Sequence, residues 1–365
     1  MSTTVSHPTP SSVLRHRQAL CDPDLFTRYR DLRRDVGLGQ PARYRKVHLL
    51  GRGGQGAVYL ADRRGGDGFS RPVAVKVFSP EPYADAGAYD EDMTRVAAVA
   101  ARVARVQHDN LPCVLDFSAV GGVRLMEMEW LDGYDLRRVL SPAMLEETRR
   151  RVGPERLRHI DDIIITPGPE QPRLKPGVAI AVLRDCLAGL AALHRDGLVH
   201  GDLKPANVLL CRAGNAKLID IGSAIDLAAR PARLLWSPAY AAPEVLEGGA
   251  NTPRADLASL GYVLVELLAG RRPFEGLDGY AALIEAKRAL EGRLAELLPP
   301  EVGRDERLLH LCRRLVAADP SRRFASAVTA DLGRRGAVDF HRHLVKEDLA
   351  SEYDNDIRVW LEQLG

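Results

Sequence analysis

The sequence predicts an α+β protein in two parts: a small antiparallel sheet carrying one helix, then a larger helical part. Three observations carry this. Between Tyr44 and Trp130, short apolar runs alternate with glycine-rich turns, as in paired strands. Inside that stretch Tyr89 to Val106 instead repeats apolar residues every three or four positions, the period of an amphipathic helix. Beyond Gly133 the pattern turns helical, most clearly from Val178 to His194.

The elements follow in order. Met1 to Ser12 is polar and flexible, and Leu20, Leu25, Tyr29 and Leu32 suggest a helix or two lying outside the main body, so residues 1–42 read as an extension. Tyr44 to Leu60 reads as a hairpin around a Gly-rich turn, and Val73 to Phe78, after the tip Gly65 to Gly68, as a third strand. The helix that follows carries Met93, Val96, Val99, Ala100, Val103 and Val106 on one stripe. Strands at Val114 to Ser118 and Val123 to Trp130 close the sheet part, residues 43–131, before Asp132 and Gly133.

The helical part, residues 132–336, contains a segment at 141–177 with the charge run Glu146 to Arg151 and the Pro/Gly-rich stretch Pro167 to Pro176. It reads as an insertion, a solvated loop or a partner-facing one. Short strand-like pieces lie at Asn207 to Leu210 and Lys217 to Ile219. In the tail, 337–365, Phe340, Leu344, Leu349, Tyr353, Ile357, Trp360 and Leu361 are spaced for helices that pack within the chain.

At 365 residues the chain can bury a substantial core, and 45% hydrophobic with 27% charged residues excludes a disordered polymer. A net charge of +2, from 51 basic and 49 acidic side chains, excludes a global positive field that would draw the protein to nucleic acid or an anionic membrane. Cys21, Cys113, Cys186, Cys211 and Cys312 form no spacing that suits a zinc site or disulfide framework, which implies a reducing compartment. The start lacks the pattern of a signal peptide, and nowhere do ~18 apolar residues run together, so a cytoplasmic protein without a membrane span is expected.

Three clusters carry chemistry. In Gly51-Arg52-Gly53-Gly54-Gln55-Gly56, absent side chains let backbone N–H groups approach phosphates. A dinucleotide site would require a helix next, whereas the strand Ala57-Val58-Tyr59-Leu60 follows, so the turn reads as a flap over nucleotide phosphates. In Val73-Ala74-Val75-Lys76 one lysine stands in an apolar strand, where its ammonium either reaches water at an edge or meets an anion. Following a glycine loop at this spacing, the anion is favoured. The third cluster is His200-Gly201-Asp202-Leu203-Lys204-Pro205-Ala206-Asn207, with Asp220-Ile221-Gly222 behind a short apolar strand. Asp202 suits a group that orients a hydroxyl proton, Lys204 a group that neutralises a moving phosphoryl, and Asn207 with Asp220 the oxygen ligands of magnesium.

Over residues 44 to about 330 these motifs resemble a eukaryotic-like serine/threonine protein kinase, of the non-RD type with a His-Gly-Asp catalytic loop. The resemblance implies a bilobal protein-kinase-like fold, ATP and Mg²⁺ as cofactors, and a protein substrate. It implies Gly51, Gly53, Gly54 and Gly56 over the phosphates, Lys76 on them, Met128 as gatekeeper and Glu129, Trp130 and Leu131 as the adenine hinge. Asp135 is implied for the ribose, and Val58, Ala74 and Leu209 around the adenine ring. Asp202 matches the catalytic base, Asn207 and Asp220 the metal ligands, and Ala242-Pro243-Glu244 the end of the activation segment, with Glu244 paired to Arg323. His200 belongs to the catalytic loop, and Asp256 resembles the buried helix acid that anchors it.

Two departures matter. Gly201 replaces an arginine that, in many relatives, receives a phosphate on the activation segment, and Asp220 to Glu244 offers only Ser223, Ser237 and Tyr240 as hydroxyls. Activity independent of activation-loop phosphorylation is therefore expected. For the helix acid that pairs with Lys76, counting back from His108-Asp109-Asn110-Leu111 lands on Val99, which cannot form an ion pair; counting forward favours Asp92, with Glu91 behind it.

The leading reading is γ-phosphoryl transfer from ATP to Ser or Thr of a protein, a signalling activity; Ser237 beside Trp236 resembles the serine/threonine-type substrate loop. Set against it are a pseudokinase scaffold, kept alive by the irregular helix acid, and a small-molecule phosphotransferase, disfavoured by the Ala-Pro-Glu segment. The extension, the insertion and the tail are the candidates for contact with a partner or a second copy.

Overall fold

The structure, a computed structural model, describes residues 22–34, 37–38, 43–229, 237–346 and 353–364. Met1 to Ser12, Leu20, Cys21, Trp236 and Leu349, on which parts of the sequence reading rest, lie outside the described residues. The chain divides into two compact units: residues 1–105 with 113–131, and residues 106–112 with 132–365.

The first unit is an antiparallel sheet of β1 (Gly37–Leu38), β2 (Tyr44–Gly53), β3 (Gly56–Arg64), β4 (Ser70–Phe78), β5 (Val114–Val120) and β6 (Val123–Glu129) in the order β1-β2-β3-β4-β6-β5. It carries helices α1 (Pro23–Arg34) and α2 (Ala86–Val103). Asp85 caps α2 by accepting from Ala88 N at 2.8 Å, and Tyr89, Met93, Val96, Val99, Ala100 and Val103 form its buried stripe. On β6, Glu127 is buried and held by Tyr44 Oη at 2.5 Å and Arg63 Nη1 at 2.7 Å.

Helix α1 corrects one expectation. It does not lie outside the main body: Leu25, Tyr29 and Leu32 are buried in the same core as the strands. Three apolar side chains on one helical stripe carry too much surface to leave in water, at ~25 cal/mol per Å². The turn between β5 and β6 accommodates Leu25, since Gly122 sits at φ +86° and a Cβ there would meet Leu25 Cδ1 at 3.3 Å. Arg28 Nη1 also donates to Gly121 O at 3.1 Å.

In the second unit the main helices are α3 (Pro176–Arg195), α4 (Pro253–Ala269), α5 (Tyr280–Leu297), α6 (Glu306–Val316) and α7 (Tyr353–Gln363). Among the described residues α3 alone is long and apolar enough to cross a membrane, yet two-thirds of its apolar window is buried. It is the core helix here, packed by α4, α7 and the helices Ala327–Leu332 and Ala337–Lys346. Thr252 caps α4 and Gly270 ends it at φ +65°. A three-stranded sheet of Gly133–Asp135, Val208–Cys211 and Ala216–Leu218 lies in the same unit.

The segment 141–177 is a second correction. It folds into the helices Pro142–Arg151 and Pro154–Ile163 and a ladder pairing Ile165–Thr166 with Arg173–Leu174. Its charge run is only the wet face of a helix that buries Met144, Leu145 and Thr148 on the other. The tail packs within the chain as its spacing predicts: Ile357, Trp360 and Leu361 are fully buried, and Trp360 Nε1 donates to Thr148 Oγ1 at 3.1 Å. Gly177 lies directly against this docked helix, and a Cβ there would come within 2.1 Å of the Tyr353 ring, which would have to shift.

Candidate active site

In the first unit β2 and β3 meet at the tight turn Gly54-Gln55, with Gly53 paired to Gly56. Gly56 has φ +142°, and a Cβ there would sit 2.0 Å from Val77 O on β4, so glycine alone permits the approach. A Cβ at Gly51, Gly53 or Gly54 would meet nothing within 4 Å, which leaves the flap backbone bare toward open space. On the neighbouring strand Lys76 is 4% exposed, donates to Gln55 Oε1 and lies 5.2 Å from the Phe78 ring. Register places Val58 opposite Lys76, Met126 opposite Lys76 on the other side, and Met128 opposite Ala74. Directly paired residues share a sheet face, so Val58, Ala74, Lys76 and Met128 line one surface.

Glu129, Trp130 and Leu131 end this unit; Glu129 N donates to Cys113 O at 2.9 Å. Asp92 stands half-buried on α2 and accepts from Tyr83 Oη at 2.6 Å and from Arg95 Nη2 at 2.8 Å. Glu91 is exposed, while Val99 is buried in the helix stripe.

In the second unit the residues of the loop 200–207 come together. Asp202, 8% exposed, accepts Lys204 Nζ at 2.6 Å and Asn207 Nδ2 at 3.2 Å on Oδ2, and Ser237 N at 2.9 Å on Oδ1. Asn207 Nδ2 also reaches Asp202 O at 2.7 Å, and Lys204 Nζ reaches Ser237 Oγ at 2.9 Å. Asn207 O accepts Ile219 N at 2.9 Å, which ties the loop to the residue before Asp220. Asp220 itself is left-handed, at φ 63° and ψ 51°, a strained setting for a non-glycine residue and one common at functional sites.

Below the loop Asp256 is an anchor. Its Oδ2 accepts His200 N at 2.8 Å and His194 Nε2 lies 2.9 Å away, while Oδ1 accepts Gly201 N at 3.0 Å. Burial alone would push this carboxyl up, but His194, His200 and the Gly201 N–H outweigh it and hold it below the usual carboxylate range. His200 Nε2 lies 2.9 Å from Ile219 O. Gly201 has φ +78°, a conformation glycine adopts freely.

Glu244 and Arg323 form the expected pair, bidentate at 2.6 and 2.8 Å, and the fully buried guanidinium also donates to Ala317 O, Arg254 O and Ala318 O. Asp135 accepts Arg138 N at 3.0 Å as the cap of a short helix and pairs in register with Leu209, the half-buried residue of an otherwise buried strand. Ser223 ends the short turn Ile221–Ser223, and its side chain lies outside the described part.

Four contributing residues escape the sequence reading. His194 sits in the last turn of α3, Gln55 in the glycine turn, and Glu266 accepts Tyr240 Oη at 2.6 Å from inside α4. Lys287 on α5 is fully buried and donates to Ala239 O at 2.6 Å; burial pulls its ammonium down to about 7. Its signal was present, since it shares the stripe of Leu283, Leu290 and Leu294.

The description "Protein kinase domain" covers a family whose match runs over residues 44–331 of the chain. The chain is 32% identical over 301 residues to "Serine/threonine-protein kinase PknL" of Mycobacterium tuberculosis, covering 80% of this chain and 65% of that protein. It is 31% identical over 295 residues to "Serine/threonine-protein kinase pkn2" of Myxococcus xanthus, covering 78% of this chain and 31% of the relative. It therefore spans about a third to two thirds of these relatives. Among solved structures, the kinase domain of PknI from Mycobacterium tuberculosis is similar with a TM-score of 0.53 and 26% identity, over 83% of this chain and 96% of that one. With an α+β fold of antiparallel sheet and helical unit, and a family match over most of its length, the chain belongs to the protein kinase domain family.

Proposed function

We propose that the chain transfers the γ-phosphoryl group of ATP to serine or threonine hydroxyls of a protein, as a signalling kinase of the cytoplasm. The observation that carries this is the cluster around Asp202, in which Lys204, Asn207 and Ser237 converge on one carboxylate. Protein kinases generally use ATP and Mg²⁺, and the residues present fit them. The bare flap backbone and buried Lys76 suit the phosphates, and the apolar face of Val58, Ala74 and Met128 suits an adenine ring. Asn207 and Asp220 would hold magnesium, which supplies charge neutralisation on phosphate oxygens when bound.

Asp202 orients the acceptor hydroxyl and takes its proton at a carboxylate oxygen, while Lys204, fixed by Asp202 and Ser237, offers positive charge beside it.

Activity without activation-loop phosphorylation belongs to the same proposal. Gly201 offers no guanidinium for a phosphate, and at φ +78° an arginine there would be strained by about 1 kcal/mol. Ser223→Ala is expected to keep activity, and its loss would overturn this part.

The test of the whole is incubation with magnesium, labelled ATP and casein, comparing wild type with Asp220→Ala. Labelling that falls to background in the variant supports transfer. Equal background labelling in both favours the pseudokinase reading, whose supporting observation is that Tyr83 and Arg95 occupy the carboxylate of Asp92.

A further inference from the structure

We propose that Lys287 is a positioning residue for the acceptor-side loop Ser237–Tyr240, its ammonium clamping the Ala239 carbonyl so that the loop stays in register with Asp202. The inference rests on the phosphoryl-transfer reading and concerns the second unit alone.

Lys287 sits where a leucine or methionine would complete the stripe of α5, between Leu283 and Leu290, and it has no exposure at all. An ammonium in such a place loses its hydration, a cost that an apolar side chain of the same length would avoid. Its surroundings return only part of that cost. Nζ donates to Ala239 O at 2.6 Å and lies 4.1 Å from the Tyr262 ring and 4.0 Å from the Phe274 ring, which meet edge to face at 5.1 Å.

Among the described residues no carboxylate pairs with it. The acids of the elements packed around it are engaged elsewhere: Glu244 with Arg323, Glu247 with Arg288, Glu291 with Arg322, and Glu266 with Tyr240 and Gln171. The arginines nearby are held in those same pairs, and Arg272 sits with Glu275. The ammonium thus has a single directional bond, and it goes to the loop.

That loop is fixed from two sides. Ser237 is tied to the catalytic loop, through its N–H to Asp202 and its hydroxyl to Lys204. Two residues on, Lys287 holds the Ala239 carbonyl, and Glu266 holds the Tyr240 hydroxyl at 2.6 Å. Losing Lys287 leaves the half-buried Ala239 carbonyl without this donor and frees the span between these anchors, so the surface that meets a protein acceptor shifts while the nucleotide side does not.

Lys287→Met keeps length and apolar packing but removes the donor. With casein as acceptor, the KM for casein is expected to rise about tenfold, the KM for ATP to stay unchanged and the thermal midpoint to hold or rise. Hydrogen exchange at residues 239–241 is expected to accelerate, and Lys287→Gln, which restores an N–H donor, to recover part of both effects. A casein KM and an exchange rate equal to wild type would overturn the proposal. Should wild type label no casein at all, the transfer reading fails, while exchange at 239–241 still decides whether Lys287 holds the loop. Should Lys287→Met not fold, Lys287→Gln against wild type provides the same comparison, and wild-type exchange there would overturn the clamp.

Discussion

Ser237 gives its backbone N–H to Asp202 at 2.9 Å, so the loop that starts at Ser237 and the loop 200–207 share one carboxylate. Asp202→Asn keeps this contact but removes the carboxylate proposed as proton acceptor, and kcat is expected to fall by about 10² to 10⁴. Ser237→Ala also keeps it and loses only the bond from Lys204, for which about a tenfold fall is expected. Steady-state kinetics of the two variants check the ranking.

Glu244→Gln breaks a bidentate pair whose guanidinium is fully buried. Leaving Arg323 without its anion is expected to cost about 3 kcal/mol, read as a lower midpoint in urea with an unchanged slope.

Stability also depends on Asp185. Burial and the neighbouring Asp354 push its carboxyl from 3.8 up to about 6, against the pull of the Ala216 N–H, which it accepts at 2.6 Å. The folded state therefore resists ionisation: below about pH 4 there is no penalty, and between about pH 4 and 6 stability falls as the pH rises. The deficit above that window is about 3 kcal/mol. Asp185→Asn, whose amide oxygen still accepts from Ala216, is expected to match wild type at pH 4 and exceed it at pH 7.5 in denaturant titrations.

Gly56→Ala is expected to weaken ATP binding about tenfold in a calorimetric titration. The new Cβ would fall 2.0 Å from Val77 O at a φ that side chains rarely adopt, so the flap must part from β4.

Much of this was legible in the sequence because periodicity and spacing record local geometry. The strand pattern placed β2 to β6, and the stripe from Met93 to Val103 placed α2. The Asp202 and Asn207 cluster was legible from its order along the chain, whereas the pair of Glu244 and Arg323 was expected only from the resemblance to the kinase family. What was not legible depends on contacts between remote segments. The run Glu146 to Arg151 looks solvated until Trp360 is seen bonded to Thr148 on the opposite face. Leu25, Tyr29 and Leu32 look marginal until they are seen buried in the core of the sheet, with Gly122 leaving room for Leu25. Lys287 breaks an apolar stripe, a mark that becomes informative only when Ala239 stands against it.

The docking of α1 and α7 has a practical corollary for anyone trimming the gene. The family match begins at residue 44 and stops at 331, but Leu25 and Tyr29 precede it and Ile357 and Trp360 follow it, all in folded cores. A fragment cut to the match would expose two greasy scars, one per unit, and would be prone to clump rather than behave as a minimal enzyme.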